Sequence, residues 1–431
     1  MGSHKILFHV LLSTILLLLA GCNESTAAGD NQTSIETSVT TLESGLVRNL
    51  APTSSSENEL LALADNNNNF AFKMFKKLYE SDSSNIFFSP YSISEALAIA
   101  YAGANGVTKT EMASVFNFDL ANDSKLHNTF NALDLHLNYS DDYYNFEINN
   151  AFWVQKNYPI LDSYLDTIKV NYGANIKILD FLNELEASRV AINDWVKEKT
   201  HDRIQEIISK GNLDPSTVVA MTNAIYFKGK WLTEFQKSYT KENTFTAEDG
   251  SMKQITFMKQ FGSKLKYMHA NNYQAVELPY IGGRSSMLIV LPDEGEFSNT
   301  LNSIETIYQS IGDMNYEYVN LTMPKFEFAS PAYDIKEMLK KLGMVTPFIK
   351  KSADFSNMTT DNTVYINSIQ HKAFLKVDEN GTEAAAITLV TDSNDSSPSI
   401  LANLDINRPF FIFIKDDTSK QILFLGVMKN F

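Results

Sequence analysis

The chain has 431 residues, 44% of them hydrophobic and 12% aromatic, and a formal net charge of −15. That length supports a large core in one to three domains, and the acidic excess disfavours nucleic acid and anionic lipid surfaces as partners. One cysteine, Cys22, excludes intramolecular disulfides, cysteine metal sites and thiol catalysis elsewhere in the chain.

Met1 to Gly21 reads as a targeting segment. Lys5 supplies a positive start, and Val10 to Ala20 is an apolar run broken only by Ser13 and Thr14. It ends in Leu19-Ala20-Gly21-Cys22, which resembles a bacterial lipoprotein box, so residues 1–21 are expected to be removed and Cys22 to carry lipid. Losing Lys5 and no acid takes the net charge from −15 to −16. Residues 22–58 are rich in Ser, Thr, Asn, Ala and Glu, the composition of a flexible tether, which at this length reaches roughly 30–35 Å. Asn23 after the cysteine favours an outer membrane or cell surface of a Gram-negative bacterium. The Asn-X-Ser/Thr sequons, such as those at Asn31 and Asn320, are read as chance.

Residues 59–431 show no internal repeat and no second linker. Phe72, Phe75 and Tyr79 recur at helical spacing within Asn69–Tyr79, Ser92–Ala102 follows the helix start Ser89-Pro90, and Glu186–Thr200 is a further amphipathic helix. Strand-like runs follow at Val218–Phe227, Ala275–Leu278, Ser286–Leu291, Val319–Met323, Lys372–Val377, Phe410–Ile414 and Ile422–Val427. Helices gathered toward the N-terminus and many strands after them predict an α+β architecture.

The stretch Lys376–Phe411 stands apart. Glu383–Ala386 suits a helix and Ile387–Thr391 a strand, all of modest size and without proline. Asp392–Ser399 is polar, as in an exposed segment open to proteolysis. Taken alone, the stretch fits an ordinary surface loop as well as a bait segment.

Catalytic patterns are missing. There is no G-x-S-x-G, H-E-x-x-H, P-loop or G-x-G-x-x-G, and of His127, His136, His201, His269 and His371 no two sit at a useful metal-ligand spacing. No enzyme activity, no metal, no cofactor and no small-molecule substrate is expected. A lone histidine in a strand, such as His371, is first of all a satisfied core group.

Several motifs in order resemble the serpin family across almost all of the folded part. They are Asn85-Ile-Phe-Phe-Ser-Pro-Tyr-Ser-Ile93, Asn223-Ala-Ile-Tyr-Phe-Lys-Gly-Lys-Trp231, Met323-Pro-Lys-Phe326, Leu342-Gly-Met344 with Ala353-Asp-Phe-Ser356, His371-Lys-Ala373 leading to Glu379-Asn-Gly-Thr-Glu-Ala-Ala-Ala386, Arg408-Pro-Phe410 and Phe424-Leu-Gly426. The resemblance implies a large central β-sheet plus two smaller sheets, N-terminal helices clustered around them, and an exposed reactive-centre loop at about residues 379–407. It also implies a suicide-substrate mechanism against serine and cysteine endopeptidases. A protease cuts the loop, an acyl-enzyme forms, the hinge inserts into the large sheet, and the protease is trapped covalently.

Site residues follow from the same resemblance. The hinge is Glu379, Gly381, Thr382, Glu383, Ala384, Ala385 and Ala386. A polar shutter comprises Ser92, Asn223 and His371, and a breach comprises Trp231, Lys325 and Glu379. The family's spacing puts the scissile bond at Asp395-Ser396, with Asp392-Ser393 and Asn394-Asp395 as alternatives, because the loop is about three residues longer than the usual pattern. By the family's register Thr382, Ala384, Ala386, Thr388 and Val390 face the core, and Asp392 falls on the same row. Thr382 to Asp395 spans roughly 46 Å as a strand, close to the about 50 Å expected across a globule of this size. The expected partners are a target endopeptidase and, through the lipid, a membrane. A monomer is expected, and a non-inhibitory serpin serving as a binding or scaffold protein is the alternative.

Overall fold

Local sequence sets the helix starts. The structure is a computed structural model that describes residues 39–52, 55–82, 84–118, 122–382 and 402–431. Helix α1 (Glu57–Ser81) opens at Ser56, whose hydroxyl accepts from the Glu59 amide while the Glu59 carboxylate accepts from the Ser56 amide. This reciprocal box satisfies amides that a helix start leaves open, and it carries the helix back well before Asn69. Strand β2 (Ile86–Phe88) leads into α2 (Pro90–Gly103), capped by Ser89 with Pro90 in the first turn, where its missing N–H costs nothing. Every residue of α2 except Ala102 is buried, so α2 is a core helix. Around it lie α3 (Gly106–Phe116), α4 (Asp123–Leu137) and α5 (Asp162–Tyr172). Helix α6 (Leu185–Lys199) packs on the far face of the first sheet, and α7 (Phe297–Ser310) and α8 (Ile335–Lys341) complete the eight α-helices among the described residues.

The first sheet runs β1 (Thr40–Leu42), β4 (Ile176–Leu179), β3 (Tyr144–Gln155), β5 (Val219–Lys230), β15 (Gly381–Thr382), β14 (Phe374–Asp378) and β11 (Phe326–Ala329). Strand β13 (Ile366–Lys372) pairs with β5 and with β12 (Tyr333–Asp334). The second sheet runs β16 (Ala402–Asp405), β10 (Asn315–Pro324), β7 (Met252–His269), β8 (Tyr273–Pro279), β9 (Ser285–Pro292), β17 (Phe410–Asp416), β18 (Ile422–Met428) and β2, with β6 (Lys241–Thr246) on β7. In place of the two smaller sheets expected beside a large one, the 18-residue β7 joins these strands into a single nine-stranded sheet. Strands β9, β17 and β18 are buried at every position, which is why they read as unbroken apolar runs.

The tether expected over residues 22–58 requires a correction at its C-terminal end. Thr40–Leu42 pairs antiparallel with β4, the Asn49 amide donates to the Val170 carbonyl, and Arg48 forms an ion pair with Asp134 of α4. The physical reason is that the edge of β4 offers open backbone groups and Asp134 needs a counter-ion. Neither demand is visible in a Ser/Thr-rich stretch.

Candidate functional site at the split in the first sheet

On one flank β5 meets β3 in unbroken antiparallel pairing from Val219 to Gly229. The other flank is divided. Val219–Ala224 pairs in parallel with Ile366–Lys372, whereas Lys230 and Gly229 face Gly381 and Thr382. Between these levels, Ile225–Lys228 pairs with no strand on that side among the described residues. Among the described residues these four rungs of β5 have no partner on that flank, a slot four residues long.

Above the slot the chain reverses. Asp378 of β14 pairs with Gly381 of β15, leaving Glu379-Asn380 as a two-residue turn, and Thr382 lies antiparallel to both Val377 and Gly229. Position 381 must be glycine because an added Cβ would sit 2.1 Å from the Gly229 carbonyl oxygen. Trp231 is buried there, donating from Nε1 to the Asp378 carbonyl at 3.0 Å and stacking on Tyr280 at 4.7 Å. The Tyr280 hydroxyl bonds the Thr382 hydroxyl at 2.8 Å, so Thr382 points into the core. Lys325 Nζ reaches Glu379 at 2.7 Å and the Thr240 hydroxyl donates to the same carboxylate at 2.8 Å. Burial alone would raise the Glu379 carboxyl, but Lys325, a backbone amide and Thr240 outweigh it and hold the group below its ordinary range. The structure thus brings Trp231, Lys325, Glu379, Gly381 and Thr382 together.

Below the slot, Ser92, Asn223 and His371 meet in a buried cluster. The Ser89 amide donates to His371 Nε2 at 3.0 Å, so the imidazole proton sits on Nδ1, which donates to Asn223 Oδ1 at 2.6 Å. Asn223 Nδ2 in turn donates to the Ser92 carbonyl at 3.0 Å, to the Ser92 hydroxyl and to Asn150 Oδ1. Burial lowers the His371 pKa to about 3, so the ring is neutral at physiological pH. His371 bonds α2 to the last rungs of the closed ladder, where His371 pairs with Asn223 and Lys372 with Ala224.

Glu383, Ala384, Ala385, Ala386 and the scissile-bond candidates Asp392, Ser393, Asn394, Asp395 and Ser396 lie outside the described residues, as does Cys22. No group of three or more His, Cys, Asp or Glu able to hold a metal occurs among the described residues, and no helix there is long and apolar enough to cross a membrane. Sequence reasoning missed Tyr280, Thr240, Asn150 and Glu95. Glu95 left a signal, since it is the single charge inside the otherwise apolar and small run of α2.

The comparisons bear on this geometry. Residues 65–430 match the family model for "Serpin (serine protease inhibitor)". The chain belongs to the serpin family. It is 34% identical over 432 residues to an uncharacterized serpin-like protein of Methanosarcina acetivorans, covering 99% of this chain and 97% of that one. It is also 34% identical to the leukocyte elastase inhibitor of Xenopus laevis, over 83% of this chain and 96% of the relative. Among solved structures it is similar to the thermophilic serpin Tengpin in its native state, with TM-score 0.78 and 25% identity over 90% of this chain and 98% of that one. Members of the serpin family are in general protease inhibitors rather than catalysts, and the α+β serpin fold is the one described above.

Proposed function

We propose that this serpin is a suicide-substrate inhibitor of serine and cysteine endopeptidases, anchored through lipid on Cys22 at a bacterial membrane surface. The observation that carries the inhibitory reading is the four-residue slot at Ile225–Lys228, just below Thr382. Continuing the antiparallel register from Thr382–Gly229 would set Glu383–Ala386 against Lys228–Ile225, the rungs that no described strand occupies. Beyond Ala386, insertion must separate β5 from β13. Each rung then trades one parallel contact for two antiparallel ones, a net gain of a ladder.

The alternation suits this path. Thr382 faces the core, and in the inserted strand Ala384, Ala386, Thr388 and Val390 would follow on the same face by the period of two. Asp392 comes opposite Val219, the first residue of β5, at the end of the sheet. In the chemical step the protease nucleophile attacks the Asp395 carbonyl and the Ser396 amine leaves. Insertion then carries the acyl-enzyme away before water can cleave it. The absence of Arg and Lys between Thr382 and Asn407 disfavours trypsin-like targets.

The test is incubation with a panel of serine and cysteine proteases, followed by denaturing gels and intact mass. A boiling-resistant, protease-sized shift with release of a C-terminal peptide beginning at Ser396 is the expected result. Cleavage within 389–401 with neither a complex nor a gain in thermal stability would overturn inhibition and leave a scaffold role. The lipid reading has its own test, in which Cys22→Ser moves the protein from the detergent to the aqueous phase. An unchanged partition would sink it.

A further inference from the structure

A row of buried polar side chains leads away from the His371 cluster. Asn150, which accepts from Asn223, donates from Nδ2 to Glu95 Oε2 at 2.9 Å. The Glu95 and Asp134 carboxyls hydrogen-bond each other, and Asp134 meets the Arg48 guanidinium, whose Nε also donates to Asn131 Oδ1 at 2.9 Å. Asn131 ties back to the same segment, donating from Nδ2 to the Asn49 carbonyl at 2.7 Å. Glu95 and Asp134 are 4% and 2% exposed, so the pair lies beyond the reach of solvent screening. Burial raises both carboxyls, Glu95 well above its ordinary range, while the Arg48 guanidinium draws Asp134 back down, so Glu95 is the protonated donor and Asp134 the charged acceptor. The Asp134 charge then has one cation to answer it in these contacts, Arg48, from the segment 39–52 that the sequence assigned to a tether.

We infer that Arg48 is a positioning residue for sheet opening: by neutralising Asp134 it holds the row Asp134–Glu95–Asn150–Asn223–His371 in register and thereby sets how readily β5 parts from β13. The physical basis is that a half-satisfied buried network costs more than a complete or an absent one. With Arg48 removed, Asp134 draws the Glu95 and Asn138 donors toward itself. Asn150 and Asn223 lose their fixed partners, and the polar link between α2 and the closed ladder loosens. The docked N-terminal segment thus becomes part of the device that keeps the sheet shut, although it touches neither β5 nor β13 in the pairing.

The test is native-state hydrogen exchange on the full chain, and it uses no protease, so it stands or falls apart from the inhibitor reading. Arg48→Met keeps the apolar stem and removes the charge. It is expected to speed exchange in the β5–β13 ladder by roughly tenfold or more while the β17–β18 ladder is unchanged. Arg48→Lys is expected to fall between Arg48→Met and the parent, and Asp134→Asn in the Arg48→Met background to restore most of the protection. Faster exchange confined to residues 39–52, an equal rise in both sheets, or no rescue by Asp134→Asn would overturn the inference. If Arg48→Met does not fold, Arg48→Lys alone decides, because an unchanged β5–β13 ladder in that variant contradicts it.

Discussion

Toward β3, β5 is paired from end to end, whereas its other flank changes partner halfway, from the six parallel pairs with β13 to the two residues of β15. The lower half is closed by backbone bonds and by the His371–Asn223 contact across the same rungs. The upper half is held by side chains around a turn: Trp231 on Tyr280, Tyr280 on Thr382 and Lys325 on Glu379. The contrast teaches that one flank of one strand carries the fold's readiness to change. Strand β3 need not move relative to β5 for the split to lengthen, whereas β13 must part from it.

The largest effect expected from an attack on this contrast is at Thr382. Arginine there would bring an unpaired charge against Tyr280, at several kcal/mol. Thr382→Arg is therefore expected to abolish the boiling-resistant complex, a loss of about 100-fold or more, while loop cleavage continues. A complex formed at the parental rate would mean that the buried contact of Thr382 with Tyr280 is not needed for the loop to insert. Next comes the lower half. His371→Ala removes the bond to Asn223 and strands the buried Ser89 amide, and urea unfolding should show a loss of about 2–4 kcal/mol. A loss below about 0.5 kcal/mol would show that the imidazole does not bind the closed ladder to α2.

Acid sharpens the comparison. His371 and His127 are lowered by burial to about 3 and about 4. The unfolded chain takes up a proton near pH 6.5 that the folded chain refuses, so their contribution is intact above that pH. It falls by about 1.4 kcal/mol per pH unit for each ring as the pH drops below 6.5. Glu95 works in the opposite sense, because its raised pKa keeps a proton on the folded chain that the unfolded carboxyl has already lost. Glu95→Gln should therefore lose stability more steeply than the parent between pH 6.5 and 5, in urea titrations at each pH. Parallel curves would remove Glu95 from the set of buried protonated groups. The smallest effect is at the upper turn. Lys325 is partly exposed, so Lys325→Met should cost no more than about 1 kcal/mol, and it should loosen exchange at Gly381 and Thr382 before anything in the lower half.

Much of this was legible along the chain. Ser89-Pro90 announced α2, the apolar runs announced β9, β17 and β18, and the motifs around Asn223, Trp231, Lys325, His371 and Glu379 pointed to residues that the fold brings together in two clusters. Three features were not legible. The end of the tether docks because of the edge of β4, over a hundred residues away, and the charge of Asp134, 86 residues from Arg48. Tyr280 sits in an unremarkable Leu-Pro-Tyr-Ile run and earns its place only by meeting Trp231 and Thr382. Glu95 was visible as an odd charge in an apolar helix, but its partners Asn150 and Asp134 come from β3 and α4.

By itself the sequence determined the periodic elements, the helix caps, the small hinge and the family pattern, because these depend on residues within a few positions of one another. Only the tertiary structure decided where β5 changes partner, which of its rungs no described strand pairs, and which distant cation balances the buried carboxyls. Those are matters of register and of charge in a low-dielectric interior, set by which strands and helices come to lie side by side.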